Sequence, residues 1–482
     1  MGLPRVSINI TEEVNTTVSA LNSFIPLVIL KSVSGPIGEA KLISSEADFL
    51  KYYGEPTSST PAAYGMRYYI KNYGSAYIYR IASNSAALGT AKIQAGSGSS
   101  ATDLINISTK FKTDTDNGSS IKLVLDATNN KIYLTTTIGT KVVTSIKETI
   151  AYSTATADDL EAALGKVVTS FNDAQSRFVL ENLFTSEDTK PAAFEELTGT
   201  ISGGNSGITS VTNESVISVI NSYDGSDLGF DAILTPEFED ALVVEALAKV
   251  ADNNAFIAIA GISGSSVSNI ESVAATYPQS SSLALYAPNV YYSADQAVAI
   301  PAAVAVLPAY RNTDTTSKWL APAGTTRGTL KLVNDFVTKL TDEDLDTLYS
   351  SDIPVNGIKK ISGTGFVVWG QKTTSTDIDK YTDRINVTRL IKYLTKEVYR
   401  ISYNYLFEPI TDYTYKAWTL KVNSIMEEIK NGNGLSDYKV QMDDTLNTDE
   451  TKAENKLIGL VRFKPLEAAE YIEISFVVTD QV

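Results

Sequence analysis

Any chemistry in this chain must rest on carboxylates, lysine, tyrosine or serine, because it contains no histidine and no cysteine. The two absences exclude a Ser-His-Asp triad, a histidine general base, a cysteine nucleophile, a disulfide framework and the usual zinc ligand sets. The 56 Asp and Glu residues leave paired-carboxylate acid/base work open. No segment, however, gathers aromatic residues around two acids as a sugar cleft would. Asp342-Glu343-Asp344-Leu345-Asp346 begins like a calcium loop, but Thr347 stands where that loop needs Gly, and Ile353 where it needs Glu. It reads instead as a helix start, with Thr341 as cap and the acids complementing the helix dipole. No metal and no cofactor is expected.

Two glycine-rich stretches could present N–H groups to a phosphate. Gly96-Ser-Gly-Ser-Ser-Ala101 fits a loose dinucleotide pattern, yet strand-like sequence follows it where a helix is required, so it reads as a linker. Gly261-Ile-Ser-Gly264-Ser-Ser266 lies between a strand and a helix start, but lacks the lysine of a phosphate loop. A simple strand-to-helix connection explains it as well.

The most distinctive charge pattern lies on a helix expected over 386–405. Val387, Leu390, Ile391, Leu394, Val398, Ile401 and Tyr405 fall in one arc, and Arg389, Lys392, Lys396 and Arg400 in a narrower opposite one. On a chain with 40 basic and 56 acidic residues, net −16, this stripe is not average surface. It fits a solvated face, and equally an electrostatic rail for an acidic partner. The acidic surplus itself argues against bulk nucleic-acid binding. No apolar run approaches a membrane span, and none near the start reads as a secretory signal. The expected site of synthesis is therefore a cytoplasm-type compartment.

The elements around these residues suggest a multidomain chain of mixed class, α+β and α/β. Its 482 residues are enough for roughly three domains. Val6, Ile8 and Ile10 alternate as a lone strand, an arm over 1–20. Residues 21–90 read as strand–helix–helix–strand, with Ser45 and Thr60-Pro61 starting the helices. Residues 91–207 carry short Thr- and Val-rich runs with turn signals, the rhythm of an antiparallel sandwich, interrupted by one helix after Thr156. Residues 208–365 alternate apolar strands with helices, implying a parallel α/β layer. Residues 330–340 read as a helix. Residues 366–470 mix long helices and strands. Ile472, Ile474, Phe476 and Val478 alternate in a final strand arm over 471–482.

Read in order, several motifs resemble those of contractile phage tail sheath proteins. They are Lys318-Trp319-Leu-Ala-Pro322-Ala-Gly324 with Arg327-Gly328, then Gly365-Phe-Val-Val-Trp369-Gly370-Gln-Lys372-Thr373, then Ile385-Asn-Val-Thr-Arg389-Leu390. Phe407-Glu-Pro409, Asn447-Thr448 and Pro465 through Glu470-Tyr471-Ile472 continue the series, and Asn72-Tyr-Gly74 through Tyr79-Arg80 precedes it. The chain has Lys372 where the family usually has Arg, which would weaken a bidentate contact.

The resemblance implies a sheath core built from both ends of the chain. A central non-catalytic α/β domain of subtilisin-like topology and an inserted β-sandwich, of the type in sheaths of phages of Gram-positive hosts, would lie between them. It implies a structural subunit, not an enzyme, that stacks as hexameric rings around an inner tail tube and contracts to drive the tube through an envelope. The partners implied are further copies of the chain, the tube protein, and baseplate and tail terminator proteins, without nucleic acid or membrane insertion. The location implied is a virion tail or tail-like particle, assembled in the host bacterial cytoplasm. Val6, Ile8, Ile10, Ile472, Ile474 and Phe476 would anchor the arms in neighbouring copies. Arg389, Lys392, Lys396 and Arg400 are candidate tube-facing residues, with Lys416 and Lys421 as competitors. A carboxylate-based hydrolase and a surface adhesin are the alternative readings.

Overall fold

The computed structural model describes residues 24–96, 101–138, 141–174, 177–226, 228–293, 295–376 and 381–470. Mixed α/β structure with several sheets divides into two compact units, residues 28–216, and residues 24–27 with 217–470. The strand-forming arms expected at both ends, with Val6, Ile8, Ile10, Ile472, Ile474 and Phe476, lie outside the described residues.

The chain enters the smaller unit within β1 (Pro26–Leu30), all of whose residues are buried. The antiparallel strands β2 (Ala40–Ile43) and β3 (Ala76–Arg80) follow the pairing Ala40 with Tyr79 through Ile43 with Ala76. Strand β2 is short and half-exposed, which is why no period revealed it in the sequence. Helices α1 (Glu46–Tyr53) and α2 (Pro61–Asn72) intervene. Ser45 caps α1 by accepting from the Asp48 N–H, and Gly54 at φ +72° closes it. Pro61 opens α2, where a missing N–H costs nothing.

Eight further elements follow in the smaller unit. They are β4 (Thr90–Ala95), β5 (Thr102–Thr109), β6 (Ser120–Asp126), β7 (Lys131–Ile138), β8 (Lys141–Thr149), α3 (Ala157–Ala174), β9 (Phe178–Asn182) and β10 (Glu196–Thr200). They make two antiparallel sheets, β4-β5-β9 and β10-β6-β7-β8. Thr156 and Asp159 cap α3 reciprocally. Leu160, Leu164, Val167 and Phe171 on α3 are fully buried in one cluster with Ile93, Leu104, Ile107, Ile121, Leu123 and Leu134 from the sheets. The stretch containing Gly96 and Ala101 joins antiparallel strands, so no helix N-terminus stands there for a pyrophosphate.

In the larger unit, α4 (Asn213–Asn221) leads to β11 (Ala232–Leu234), α5 (Ala241–Asn253), β12 (Ile257–Gly261), α6 (Val267–Ala274) and β13 (Leu283–Ala287). The three strands are parallel neighbours and fully buried, as their apolar runs require. Next come β14 (Val290–Tyr292), β15 (Asp295–Ile300), α7 (Ala302–Ala305), α8 (Leu307–Asp314), α9 (Gly324–Arg327), β16 (Val333–Phe336), α10 (Asp342–Ser350), β17 (Asn356–Ile361) and β18 (Gly365–Trp369). Strand β17 adds to β13 in parallel and β18 to β17 antiparallel.

The helix expected over 330–340 is instead β16, paired antiparallel with β14. Leu330, Val333, Phe336, Val337 and Leu340 keep a helical spacing without strict alternation. The pairing with β14, and the Leu330 N–H bonded to the Phe366 carbonyl, decide the outcome. Helix α10 begins with the full capping box of Thr341 and Asp344, so the acids there serve the helix start. The chain continues through α11 (Ile385–Tyr403), α12 (Asp412–Asn431), β19 (Leu435–Gln441), α13 (Asp449–Ala453) and β20 (Leu460–Pro465), with β19 and β20 antiparallel.

Arg80, at the end of β3, is fully buried. Its guanidinium donates to the carbonyls of Gly35 (2.8 Å), Lys112 (2.8 Å) and Ser206 (2.7 Å), so one side chain fastens three distant segments of the smaller unit. Burial holds its pKa down to about 10. Arg80→Met strands these carbonyls, each costing on the order of 1 kcal/mol or more. Urea denaturation should show the smaller unit weakened by about 3 kcal/mol. A loss below 0.5 kcal/mol would contradict the fastening role.

Candidate functional site

Helix α11 is the centre of the charge pattern singled out in the sequence, and its basic stripe turns inward. Arg389 is 6% exposed and pairs with Asp314 of α8, which is fully buried. Its guanidinium carbon lies 5.2 Å from the ring centre of Tyr310 and 5.9 Å from that of Phe24. Lys392 donates from Nζ to the carbonyls of Ala251 and Asn254, each at 2.6 Å, at the C-terminal end of α5. A cation there meets the negative pole of that helix. Burial nevertheless pushes the Lys392 ammonium down to about 8, against the pull of Asp252. Lys396 donates to the carbonyls of Gly229 and Phe230 and to Asp231 Oδ1 (3.3 Å).

The expectation of a solvent-facing rail on α11 is therefore corrected for Arg389, Lys392 and Lys396. The arc opposite the apolar one is covered by the α/β layer of the same unit. Arg400 alone of the four is exposed, 75% by side chain, and pairs with Glu397. Lys416 and Lys421 on α12 are exposed. They stand near exposed apolar side chains of the same region of sequence, Tyr403, Phe407, Tyr413 and Leu420. A groove between α12 and β19 is lined by Lys416, Leu420, Lys439 and Met442.

Asp231 gathers the inward charges. Its Oδ1 receives Lys318 (3.1 Å) as well as Lys396, and its Oδ2 accepts from the Ile25 N–H (3.0 Å). Burial alone would raise this carboxyl, but Lys396, Lys318 and the Ile25 N–H outweigh it and hold it down to about 2. Lys318 also lies 3.7 Å from Asp314 Oδ2, joining the two acids into one network. Sequence reasoning missed Asp231 and Asp314. Their partners on α11 stand 75 and 165 residues off in the chain, and only Lys318, four residues after Asp314, is local.

The motif residues are mostly structural supports. The Trp319 indole N–H donates to the Gly432 carbonyl (2.8 Å), and a Cβ at Gly432 or Gly434 would come within 2.5–2.7 Å of the indole. These two glycines therefore follow from a ring pressed against backbone. Pro322 is buried, Gly324 starts α9 at φ +80°, and Arg327 Nε donates to the Ala321 carbonyl. The Gly328 carbonyl accepts from the Val368 N–H. Trp369 is half-exposed beneath the Lys359 ammonium, and Gly370 sits at φ +148° against Asn356. Lys372 donates to the Tyr349 carbonyl (2.8 Å), a single contact where a fork would make two. Asn447, fully buried, bonds Asp443 and both backbone groups of Ile458. The loop after Gly261 is occupied internally: the Ser263 N–H and hydroxyl donate to Glu239. Among the described residues no group of three or more acids converges as a metal site, and no helix is long and apolar enough to cross a membrane.

The larger unit thus combines an α/β layer with a C-terminal segment of two long helices and one antiparallel strand pair. Residues 377–479 match the phage tail sheath C-terminal domain family. The tail sheath protein of Vibrio phage KVP40 is 30% identical over 161 residues, 33% of this chain and 24% of that protein. The chain thus aligns with about a quarter of that relative's length. The sheath tail protein of Desulfitobacterium hafniense has the same fold, with a TM-score of 0.62 at 14% identity over 96% of this chain and 100% of that one. The sheath of an extracellular contractile injection system in its contracted state gives 0.57 at 15% identity, over 100% and 99%. The resemblance to tail sheath proteins read from the motifs therefore holds.

Arg389→Met leaves Asp314 buried with only the distant Lys318, and should cost about 3 kcal/mol. The double variant Arg389→Met/Asp314→Leu should recover most of that loss in denaturant titration. Equal losses in both would contradict the pairing. For Asp231 the folded pKa lies below the unfolded value of 3.8, so its stabilisation is present above about pH 4 and is lost as pH falls towards 2. Asp231→Asn should remove about 2 kcal/mol of the acid dependence between pH 5 and 2.5. An unchanged acid limb would contradict this assignment.

Proposed function

We propose that this chain is a structural subunit of a contractile tail sheath. The observation that carries the reading is the sequence match of residues 377–479 to the tail sheath C-terminal domain. The shared fold over the rest of the chain supports it. On this reading, copies stack as hexameric rings around an inner tail tube, between baseplate and terminator proteins, in a virion tail or tail-like particle assembled in the host cytoplasm. No covalent chemistry is required. The energy of contraction is stored at assembly as a difference between two sets of inter-subunit contacts.

Roles then divide by segment. Residues 21–90 and 366–470 form the sheath core, 208–365 a non-catalytic α/β domain of subtilisin-like topology, and 91–207 an outer β-sandwich insert. The arms, 1–20 and 471–482, add strands to neighbouring copies through Val6, Ile8, Ile10, Ile472, Ile474 and Phe476. With most of the α11 stripe turned inward, the tube-facing role passes to the exposed Arg400, Lys416 and Lys421. An acidic tube surface would complement them.

Negative-stain microscopy of the purified chain, with and without its tube partner, tests the reading. Long striated cylinders are expected, and deletion of residues 1–12 should leave a folded monomer that forms none. Monodisperse particles from the intact chain with the tube present, or full cylinders from the truncation, would contradict it.

A further inference from the structure

Both ends of the described chain are held by carboxylate clamps, and one helix carries a basic partner in each. At the N-terminal side, Ile25 and Asp231 exchange two hydrogen bonds. The Ile25 N–H donates to Asp231 Oδ2 (3.0 Å), and the Asp231 N–H donates to the Ile25 carbonyl (2.8 Å). The other carboxylate oxygen takes Lys396 of α11, together with Lys318. At the C-terminal side, exposed residues 466–469 lead from β20 to Glu470. The Glu470 side chain is only 19% exposed. Its Oε1 receives Arg384 Nε (2.7 Å) and Gln371 Nε2 (3.2 Å), and its Oε2 accepts from the Tyr349 hydroxyl (3.1 Å). Three segments far apart in sequence thus converge on one carboxylate at the end of an exposed run. Arg384 is the residue that caps α11 at its N-terminus.

We propose that Arg384 and Lys396 are positioning residues that fix, through Glu470 and Asp231, the backbone at Glu470 and Ile25, the held positions nearest the two terminal segments. The two clamps are twelve residues apart on α11, about 18 Å along its axis, so the rigid helix holds both positions in one frame. The inference rests on the reading that the terminal segments join neighbouring copies.

The clamp sets reach. Freeing the chain back to Leu466 adds four residues, or about 14 Å. A segment tethered at a fixed point finds a narrow set of neighbours at high effective concentration, whereas a longer, re-aimed tether finds several. The clamps therefore act on which lattice forms rather than on whether a copy folds. Lys372 donates its ammonium to the Tyr349 carbonyl, so the basic side chain bonded to the Glu470 carboxylate is Arg384.

The test uses the full chain and two readouts. In the monomer, hydrogen–deuterium exchange is expected to rise at least tenfold at the Leu466 amide, which donates to the Gly434 carbonyl, in Glu470→Gln, and at the Ile25 amide in Lys396→Met, with the rest of the body unchanged. In assembled material, cryo-electron microscopy should show one helical lattice for the wild type. Arg384→Glu and Glu470→Arg should each give mixed lattices or few polymers, and the double variant carrying both should restore the single lattice. Wild-type exchange in the variants, or single variants that build the wild-type lattice at the wild-type rate, would overturn the proposal. A wild type that never polymerises would sink the sheath reading instead, and the exchange measurement would still decide the clamps.

Discussion

Four basic side chains, from the buried Arg389 to the partly exposed Lys396, together decide how the larger unit is built. Arg389, Lys392, Lys396 and Lys318 meet two carboxylates and the carbonyl ends of neighbouring elements in one network. Removing such charges from water is costly, and the cost is offset only if every partner is in place. Helix α11 therefore has a single seat. The aromatic rings of Phe24 and Tyr310 complete that seat around Arg389. A well-packed apolar helix of similar volume would match or exceed the stability. What the charges supply is position, since an ion pair fails when displaced by a few ångströms while an apolar contact slides.

On the proposed sheath reading, position is what each copy must keep. The network lies between Ile25, Asp231 just before β11, and α11, and the Glu470 contacts lie at the start of the same helix. Lys392 is held at the carbonyl end of α5, so the α/β layer and the C-terminal segment share one frame. The smaller unit solves a similar problem with Arg80, which holds three segments through their carbonyls. In both units the fastening group is a buried cation that reaches across long sequence separations.

Much of this was legible in the sequence where the signal is local. The caps at Ser45, Thr156 and Thr341, the proline opening α2, and the apolar strands β11, β12 and β13 all follow from neighbouring residues. Strand β16 did not, because its apolar residues keep a helical spacing and its pairing with β14 overrides it. The α11 helix was legible, but not the direction of its charged face. An arc of Lys and Arg opposite an arc of Leu and Ile reads as a solvated face unless acids are known to cover it. Those acids, Asp314 and Asp231, are 75 and 165 residues away from their partners. Motif residues such as Trp319, Gly328 and Asn447 carried the family resemblance, and the structure adds the contacts each one makes.

Helical reconstruction of the assembled polymer at side-chain detail tests the central claim most directly. The account predicts the Arg389–Asp314 and Arg384–Glu470 pairs intact within each copy, with density beyond Glu470 and before Phe24 running onto neighbouring copies. Terminal segments folded back on their own body, or a body in which those pairs are broken while the lattice persists, would contradict it.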